Sequence, residues 1–95
     1  MADAPPINHE RSEQGGRFVM ERDGAMVGEL FYRLAGTRAI ITHTEVAPPL
    51  RELGLGRLLV DAAAQWARME NLKLVPLCSY ASRVLAESPQ YSDVL

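Results

Sequence analysis

The apolar residues of this chain change period once, at Ala47-Pro48-Pro49. Upstream of that point the segments are strand-like. Arg17 to Arg22 is a short run ending at Asp23-Gly24, a pair that favours a tight hairpin because both positions tolerate positive φ. Ala25 to Leu34 is rich in Val27, Phe31 and Tyr32, and Ala35-Gly36-Thr37 makes the next turn. Arg38 to Val46 is dominated by β-branched residues, whose stiff χ1 suits a pleated strand. Three strands joined by tight turns predict an antiparallel meander. The prolines stop it, because neither has an N–H to give to a ladder.

Downstream the spacing is helical. Leu55, Leu59, Ala62, Trp66 and Met69 recur at steps of four and three, with Arg57, Asp61, Gln65 and Arg68 on the opposite face. Arg57 and Asp61 stand four apart, the spacing of a helical charge pair. This predicts a helix from Gly54 to Asn71, with Asn71 as its stop. Leu72 to Tyr80 then reads as a strand that Pro76 forces to an edge, a bulge or a splay. Strand, helix and strand in series predict a right-handed βαβ unit with parallel strands. Ala81 to Glu87 reads as a short helix ended by Ser88-Pro89, and Gln90 to Leu95 as a tail. Met1 to Gly16 is polar and aperiodic and reads as a flexible arm whose last residues enter a strand. The expected organisation is one domain over 17–95 in the α/β (α+β) class.

Composition removes several functions. The chain has 95 residues, room for one domain. Ten Lys+Arg against 12 Asp+Glu leave a net charge of −2, so there is no basic footprint for nucleic acid. A single cysteine excludes an internal disulfide framework and a cysteine-based zinc cluster, and a free thiol suits a reducing compartment. No apolar stretch approaches the roughly 18 residues a membrane span needs, and the start lacks the basic and apolar regions of an export signal. The cytosol is the expected location, with no metal, no nucleic acid and no membrane as partners.

The densest local signal is Arg51-Glu52-Leu53-Gly54-Leu55-Gly56-Arg57, between a strand and an amphipathic helix. Two glycines allow a tight turn and close approach of a ligand to the backbone. The first N–H groups of the following helix point into the same loop, and Arg51 and Arg57 add positive charge, as a phosphate or pyrophosphate site requires. A dinucleotide fingerprint fails because Leu59 stands where its third glycine belongs, and no Gly-Lys-Ser/Thr of a P-loop is present. A purely structural strand-to-helix turn remains the other explanation.

Arg51-x-x-Gly54-x-Gly56 resembles the R/Q-x-x-G-x-G/A signature of the GNAT superfamily, the acetyl-CoA-dependent N-acetyltransferases. Ile41-Thr42-His43-Thr44-Glu45-Val46, Pro76-x-Cys78-Ser79-Tyr80 and Pro89-x-Tyr91-x-Asp93 resemble the small single-domain NATD1-like group within it, a likeness extending from Arg17 to Leu95. The resemblance implies a minimal GNAT-like fold and an acetyl-CoA cleft between two splayed parallel strands. It implies pantetheine contacts at Glu45, Val46 and Ala47, and pyrophosphate contacts at Arg51, Leu53, Gly54, Leu55, Gly56 and Arg57. The implied activity is transfer of an acetyl group to an amine, with a protein or peptide lysine as one acceptor class. A non-catalytic CoA- or acetyl-CoA-binding regulatory module is the alternative.

Such a transfer needs a base for the amine, polarisation of the thioester carbonyl and a proton for the leaving thiolate. His43 and Glu45 share strand parity and so one face, and they are candidate bases that a structural or solvated role would equally suit. Cys78 is expected at the end of the second parallel strand, where open α/β sheets hold ligands. A thiol there can accept an acetyl group or protonate the CoA sulfur, or can be only a small buried hydrophobe. Tyr80 is the competing acid, since many GNAT enzymes place a tyrosine just after this strand. Trp66, Met69 and Met20 read as core, Lys73 as solvated surface, and His9 receives no role. Full-size members carry a further strand and two helices before the meander, which here has only a polar arm before it. The cofactor half is therefore expected and the acceptor half reduced. A monomer, or a weak homodimer through an exposed sheet edge, is the expected state.

Overall fold

The computed structural model describes residues 5–48 and 54–95. Five strands form one sheet: β1 (Ile7–Arg11), β2 (Gly15–Arg22), β3 (Ala25–Ala35), β4 (Arg38–Val46) and β5 (Lys73–Pro76). Their order in the sheet is their order in the chain. The first four are antiparallel and β5 runs parallel to β4. Helix α1 (Leu55–Glu70) connects β4 to β5, α2 (Ser79–Glu87) follows, and a 3-10 turn (Pro89–Val94) closes the fold. The meander and the βαβ unit are as the periodicity predicts. Asp23 and Gly24 take φ of 52° and 81°, the two positive values that a right-twisted two-residue hairpin needs. No described helix is long and apolar enough to cross a membrane.

One core lies between the sheet and the helices. Phe18, Met20, Leu30, Tyr32, Ala39 and Ile41 supply its floor, and α1 covers them with Leu55, Leu59, Val60, Ala63, Ala64, Trp66 and Ala67. Ala81, Val84 and Leu85 of α2, with Tyr91 and Val94 of the 3-10 turn, fill the remaining side. The small residues Ala63, Ala64 and Ala67 let α1 lie close on the sheet. The buried stripe is therefore centred on them, and Met69, expected in the core, is 80% exposed. Asn71 caps α1 in the left-handed conformation, as its sequence position predicts, with its N–H directed to the carbonyls of Ala67 and Arg68.

Four further expectations change. The predicted flexible arm over 1–16 contains a strand: β1 pairs with β2 from Ile7 to Arg11 and supplies the extra strand thought missing before the meander. An edge strand needs only a weak apolar pattern, and here Ile7 and His9 are the half-buried residues, His9 stacking on Phe18 with centroids 4.1 Å apart. The strand expected to reach Tyr80 ends at Pro76, and Ser79 and Tyr80 open α2, leaving Cys78 as its N-cap rather than a strand end. Pro76 cannot extend the ladder, and the N–H groups of Leu77 and Cys78 both turn to the carbonyl of Ile41, at 2.9 and 3.3 Å. The Arg57–Asp61 pair gives way to longer-range partners: Arg57 reaches Glu87 at 2.9 Å, and Asp61 accepts from the Tyr91 hydroxyl at 3.1 Å. The tail of 90–95 is packed, with Tyr91 and Val94 buried and Arg68 gripping Asp93 through two N–H···O bonds of 2.6 and 2.8 Å.

Candidate active site

The site begins with one extra residue in β4. Tyr32 of β3 pairs with Ile41 and Phe31 with His43, so Thr42 has no opposite number and forms a bulge. A bulge shifts the alternation by one. Ala39 and Ile41 face the core before it, and Thr44 and Val46 face that side after it, opposite Leu30 and Gly28. His43 and Glu45 are thereby turned to the other face of the sheet and into solvent. Beside them β5 has already stopped: its last pairing is Pro76 with Ile41, whereas β4 continues to Val46. From Thr42 onward the two parallel strands part.

The parting opens a cleft of about 460 Å³ lined by His43, Thr44, Glu45, Val46, Gly56, Tyr80 and Arg83. Its end wall is the start of α1. Gly54 caps that helix with φ 76°, a conformation any side chain would strain. Neither a side-chain cap nor an acidic residue occupies the first turn, so its N–H groups keep the positive end of the helix for an outside anion. Gly56 serves a different purpose. A Cβ on it would lie 2.8 Å from the Tyr80 hydroxyl oxygen and 3.0 Å from its ring, so the glycine makes room for the tyrosine. The Arg83 guanidinium covers the other side of that ring, 5.5 Å from its centroid. Neither the Gly56–Tyr80 packing nor Arg83 is legible in the sequence, since both depend on α2 folding back over the start of α1.

His43 and Glu45 form a pair on the solvent side of the cleft, Nε2 to Oε1 at 3.2 Å, with both side chains more than half exposed. The His43 ring leans on Phe31, 6.0 Å between centroids. Such a pair can take a proton from a donor in the cleft, the carboxylate stabilising the imidazolium as it forms.

Cys78 is half-buried and packed against the core edge. Burial pushes its thiol up. The backbone N–H of Ala81, the Thr44 hydroxyl and the N–H groups of Tyr80 and Thr44 outweigh that effect, and the thiol is held below its ordinary value. The Thr44 hydroxyl oxygen is buried and makes no hydrogen bond of ordinary geometry.

The structure thus brings His43, Glu45, Val46, Gly56 and Tyr80 to one cleft, and Cys78 is not among its lining residues. The Ala47 amide is committed to the Val27 carbonyl at 2.8 Å, and Ala47 lines a neighbouring hollow with Glu29 and Glu45. The Arg57 guanidinium is engaged by Glu87. Leu55 is buried as the first residue of α1. Arg51 and Leu53 lie outside the described residues. Thr44 and Arg83 line the cleft without having been singled out by sequence. Among the described residues no three His, Cys, Asp or Glu groups gather as a metal site. An uncapped helix start closes the gap between the parted strands, where its N–H groups can meet an anionic group.

Comparison with known proteins agrees with this geometry. A family model described as GCN5-related N-acetyl-transferase matches residues 17–94. Protein NATD1 of Mus musculus is 31% identical over 94 residues, covering 95% of this chain and 86% of that protein. A GCN5-like protein of Staphylococcus aureus assigned as an N-acetyltransferase, solved by NMR, superposes with a TM-score of 0.74 at 28% identity, covering 98% of this chain and 89% of that one. A Bacillus anthracis protein assigned as a streptothricin acetyltransferase, solved in complex with acetyl coenzyme A, shares the fold with a TM-score of 0.62 at 20% identity, covering 70% of this chain and 39% of that one. The chain belongs to the GCN5-related N-acetyltransferase family.

Proposed function

We propose that this protein transfers the acetyl group of acetyl-CoA to an amine in the cleft where β4 and β5 part. The observation that carries the reading is that parting: β4 runs on from Thr42 to Val46 with β5 gone from its side, directly before an uncapped helix start. A pantetheine arm suits such a gap because it carries amide groups that can hydrogen-bond to strand backbone. The backbone of that stretch of β4 would receive it, with the N–H groups at Gly54, Leu55 and Gly56 toward the pyrophosphate. The Bacillus anthracis structure with acetyl coenzyme A supports this choice of substrate through its shared fold.

The chemistry follows from which groups face the cleft. His43, braced by Glu45 at 3.2 Å, takes the proton of the incoming ammonium. The freed nitrogen attacks the thioester carbonyl carbon, the C–S bond breaks, and the departing sulfur receives a proton. Tyr80 stands at the cleft wall against Gly56 and is the nearer donor, and Cys78 is the second one. On the acceptor side Glu45 would meet a cationic amine such as a lysine, while Glu29 opposite it is engaged by Arg17 at 2.9 Å.

Mass spectrometry of the protein mixed with acetyl-CoA and a panel of amines tests the reading. Bound cofactor and an acetylated amine are expected. Binding without transfer to any amine would instead indicate a CoA-responsive regulatory module, and no binding at millimolar ligand would remove the cofactor assignment. Within an active protein, Tyr80→Phe should lower turnover by roughly 10²–10⁴-fold. Full activity of Cys78→Ala would eliminate a covalent route through sulfur.

A further inference from the structure

We propose that the acceptor lies along the face of the sheet opposite the helices and that Arg33 selects it: the substrate is a polypeptide whose acceptor lysine has an acidic residue close to it in sequence. The inference rests on reading the parting of β4 and β5 as the transfer site. It concerns a surface and an arginine to which neither the sequence motifs nor the family signature assign a role.

Alternation defines this face. Leu30 and Tyr32 of β3 and Ala39 and Ile41 of β4 belong to the core, where α1, α2 and the 3-10 turn all pack. Glu29, Phe31 and Arg33, with Arg38, His43 and Glu45, therefore lie on the other side of the sheet. Their charges are sorted by position. Glu29 and Glu45 are cross-strand partners at the end where β4 runs on alone. Arg33 and Arg38 stand toward the far end, paired with Ile40 and Ala35. Phe31 and His43 form the row between, with ring centroids 6.0 Å apart. Arg17 is already committed, to Glu10 at 2.7 Å and to Glu29 at 2.9 Å. Arg33 and Arg38 have no ion pair among the described residues, so their charge is left for an outside anion. Beside Arg33 lies a hollow of about 470 Å³, as large as the cleft, whose lining includes Glu10, Gly15, Arg17 and Phe31. Gly15 is the cross-strand partner of Arg33, and a Cβ on it would lie 2.4 Å from the Tyr32 carbonyl oxygen, so that position stays bare. Phe31 both lines the hollow and carries the His43 ring, so the hollow and the transfer residues share a wall. A lysine whose amine reaches His43 and Glu45 brings its own chain over Phe31. Two residues along an extended chain span roughly 7 Å, the same step that separates Phe31 from Arg33. A carboxylate at that distance meets the unpaired guanidinium, and a basic residue there is repelled.

The test uses the full chain and two fluorescently labelled peptides built around one lysine. One carries aspartate two and four positions to either side of the lysine, and the other carries lysine at those places. Fluorescence anisotropy reads binding without any need for turnover. The wild type should bind the acidic peptide about fivefold more tightly at low salt, the scale of an exposed ion pair, and less so at high salt. Arg33→Glu should invert that order, with a melting temperature equal to that of the wild type because the side chain is exposed. In the acetylation assay the same preference should appear in KM, with kcat unchanged by the substitution. Equal binding of the two peptides by the wild type overturns the proposal, as does a folded Arg33→Glu protein that keeps the wild-type order. A dimer in sedimentation that Arg33→Glu dissociates would assign the face to a second copy of the chain and overturn it too. If the acidic peptide docks through Arg33 and is never acetylated, the docking surface stands and the transfer reading alone fails. If lysines are acetylated without regard to neighbouring charge, the transfer reading stands and this proposal fails.

Discussion

At the residue scale, the cleft depends on a few side chains whose neighbours fix what they can do. Gly56 is one. Its missing side chain is the space in which the Tyr80 ring lies, so Gly56→Ala must displace the ring or the helix start. Overpacking of this kind costs about 1–3 kcal/mol, and we expect Gly56→Ala to melt earlier and to lose turnover to the extent that Tyr80→Phe does. A Gly56→Ala protein with wild-type turnover would detach Tyr80 from the chemistry. His9 is another. Its ring stacks on Phe18, meets the Trp66 edge at 5.0 Å between centroids, and shares a 2.6 Å hydrogen bond with the Tyr32 hydroxyl. Burial first, and Arg11 second, hold its pKa below the ordinary 6.5, with Glu70 opposing them. The fold therefore prefers neutral His9. Its contribution is complete above about pH 6.5 and is lost as pH falls through the lower folded value. The melting temperature of the wild type should accordingly drop more steeply between pH 7 and pH 5 than that of His9→Gln. Parallel curves would show that the ring's titration is not coupled to folding.

At the element scale, the contrast is between features that repeat and features that occur once. The strand pattern, the helical stripe and the stop at Asn71 are periodic or positional, and they are legible in the sequence. The Thr42 bulge is not, because strict alternation from Ile41 would send His43 and Glu45 inward with it. Only the register against β3 reveals the extra residue. Pro76 announces a break in β5, but the sequence does not say that the two N–H groups after it share one carbonyl, and α2 consequently starts earlier than composition suggests. The terminal turn is a third case. Tyr91 is buried and donates to Asp61 on α1, a partner 30 residues away that no local pattern discloses. Tyr91→Phe keeps the packing and removes that bond. It should cost about 0.5–1.5 kcal/mol in chemical denaturation, and a cost near zero would mean that the bond is replaced by water.

At the scale of the whole molecule, the sheet follows chain order, so each strand finds its neighbour nearby and only β5 must cross over a helix to reach β4. The edge that sequence composition presents as an arm is part of this body. Ile7 and His9 close the core beside Phe18, Tyr32 and Trp66. A chain beginning at Gln14 should therefore lose about 2 kcal/mol from the aromatic stack and the His9–Tyr32 bond. For a protein of this size that is a fall of roughly 10 °C in melting temperature. A truncated chain that melts with the full-length protein would restore the flexible-arm reading.

The parting of β4 and β5 has a consequence for descent as well as for chemistry. A ligand that lies along main chain is recognised by groups every amino acid possesses, so the surface it needs is stored in strand lengths and in one bulge. Substitution can rewrite most side chains around such a surface and leave it intact, provided no residue is inserted or deleted in that stretch. This is one physical reason that a relative differing at about two thirds of its positions can retain the same fold. The few side chains that reach across the opening are then at liberty to drift toward new acceptors.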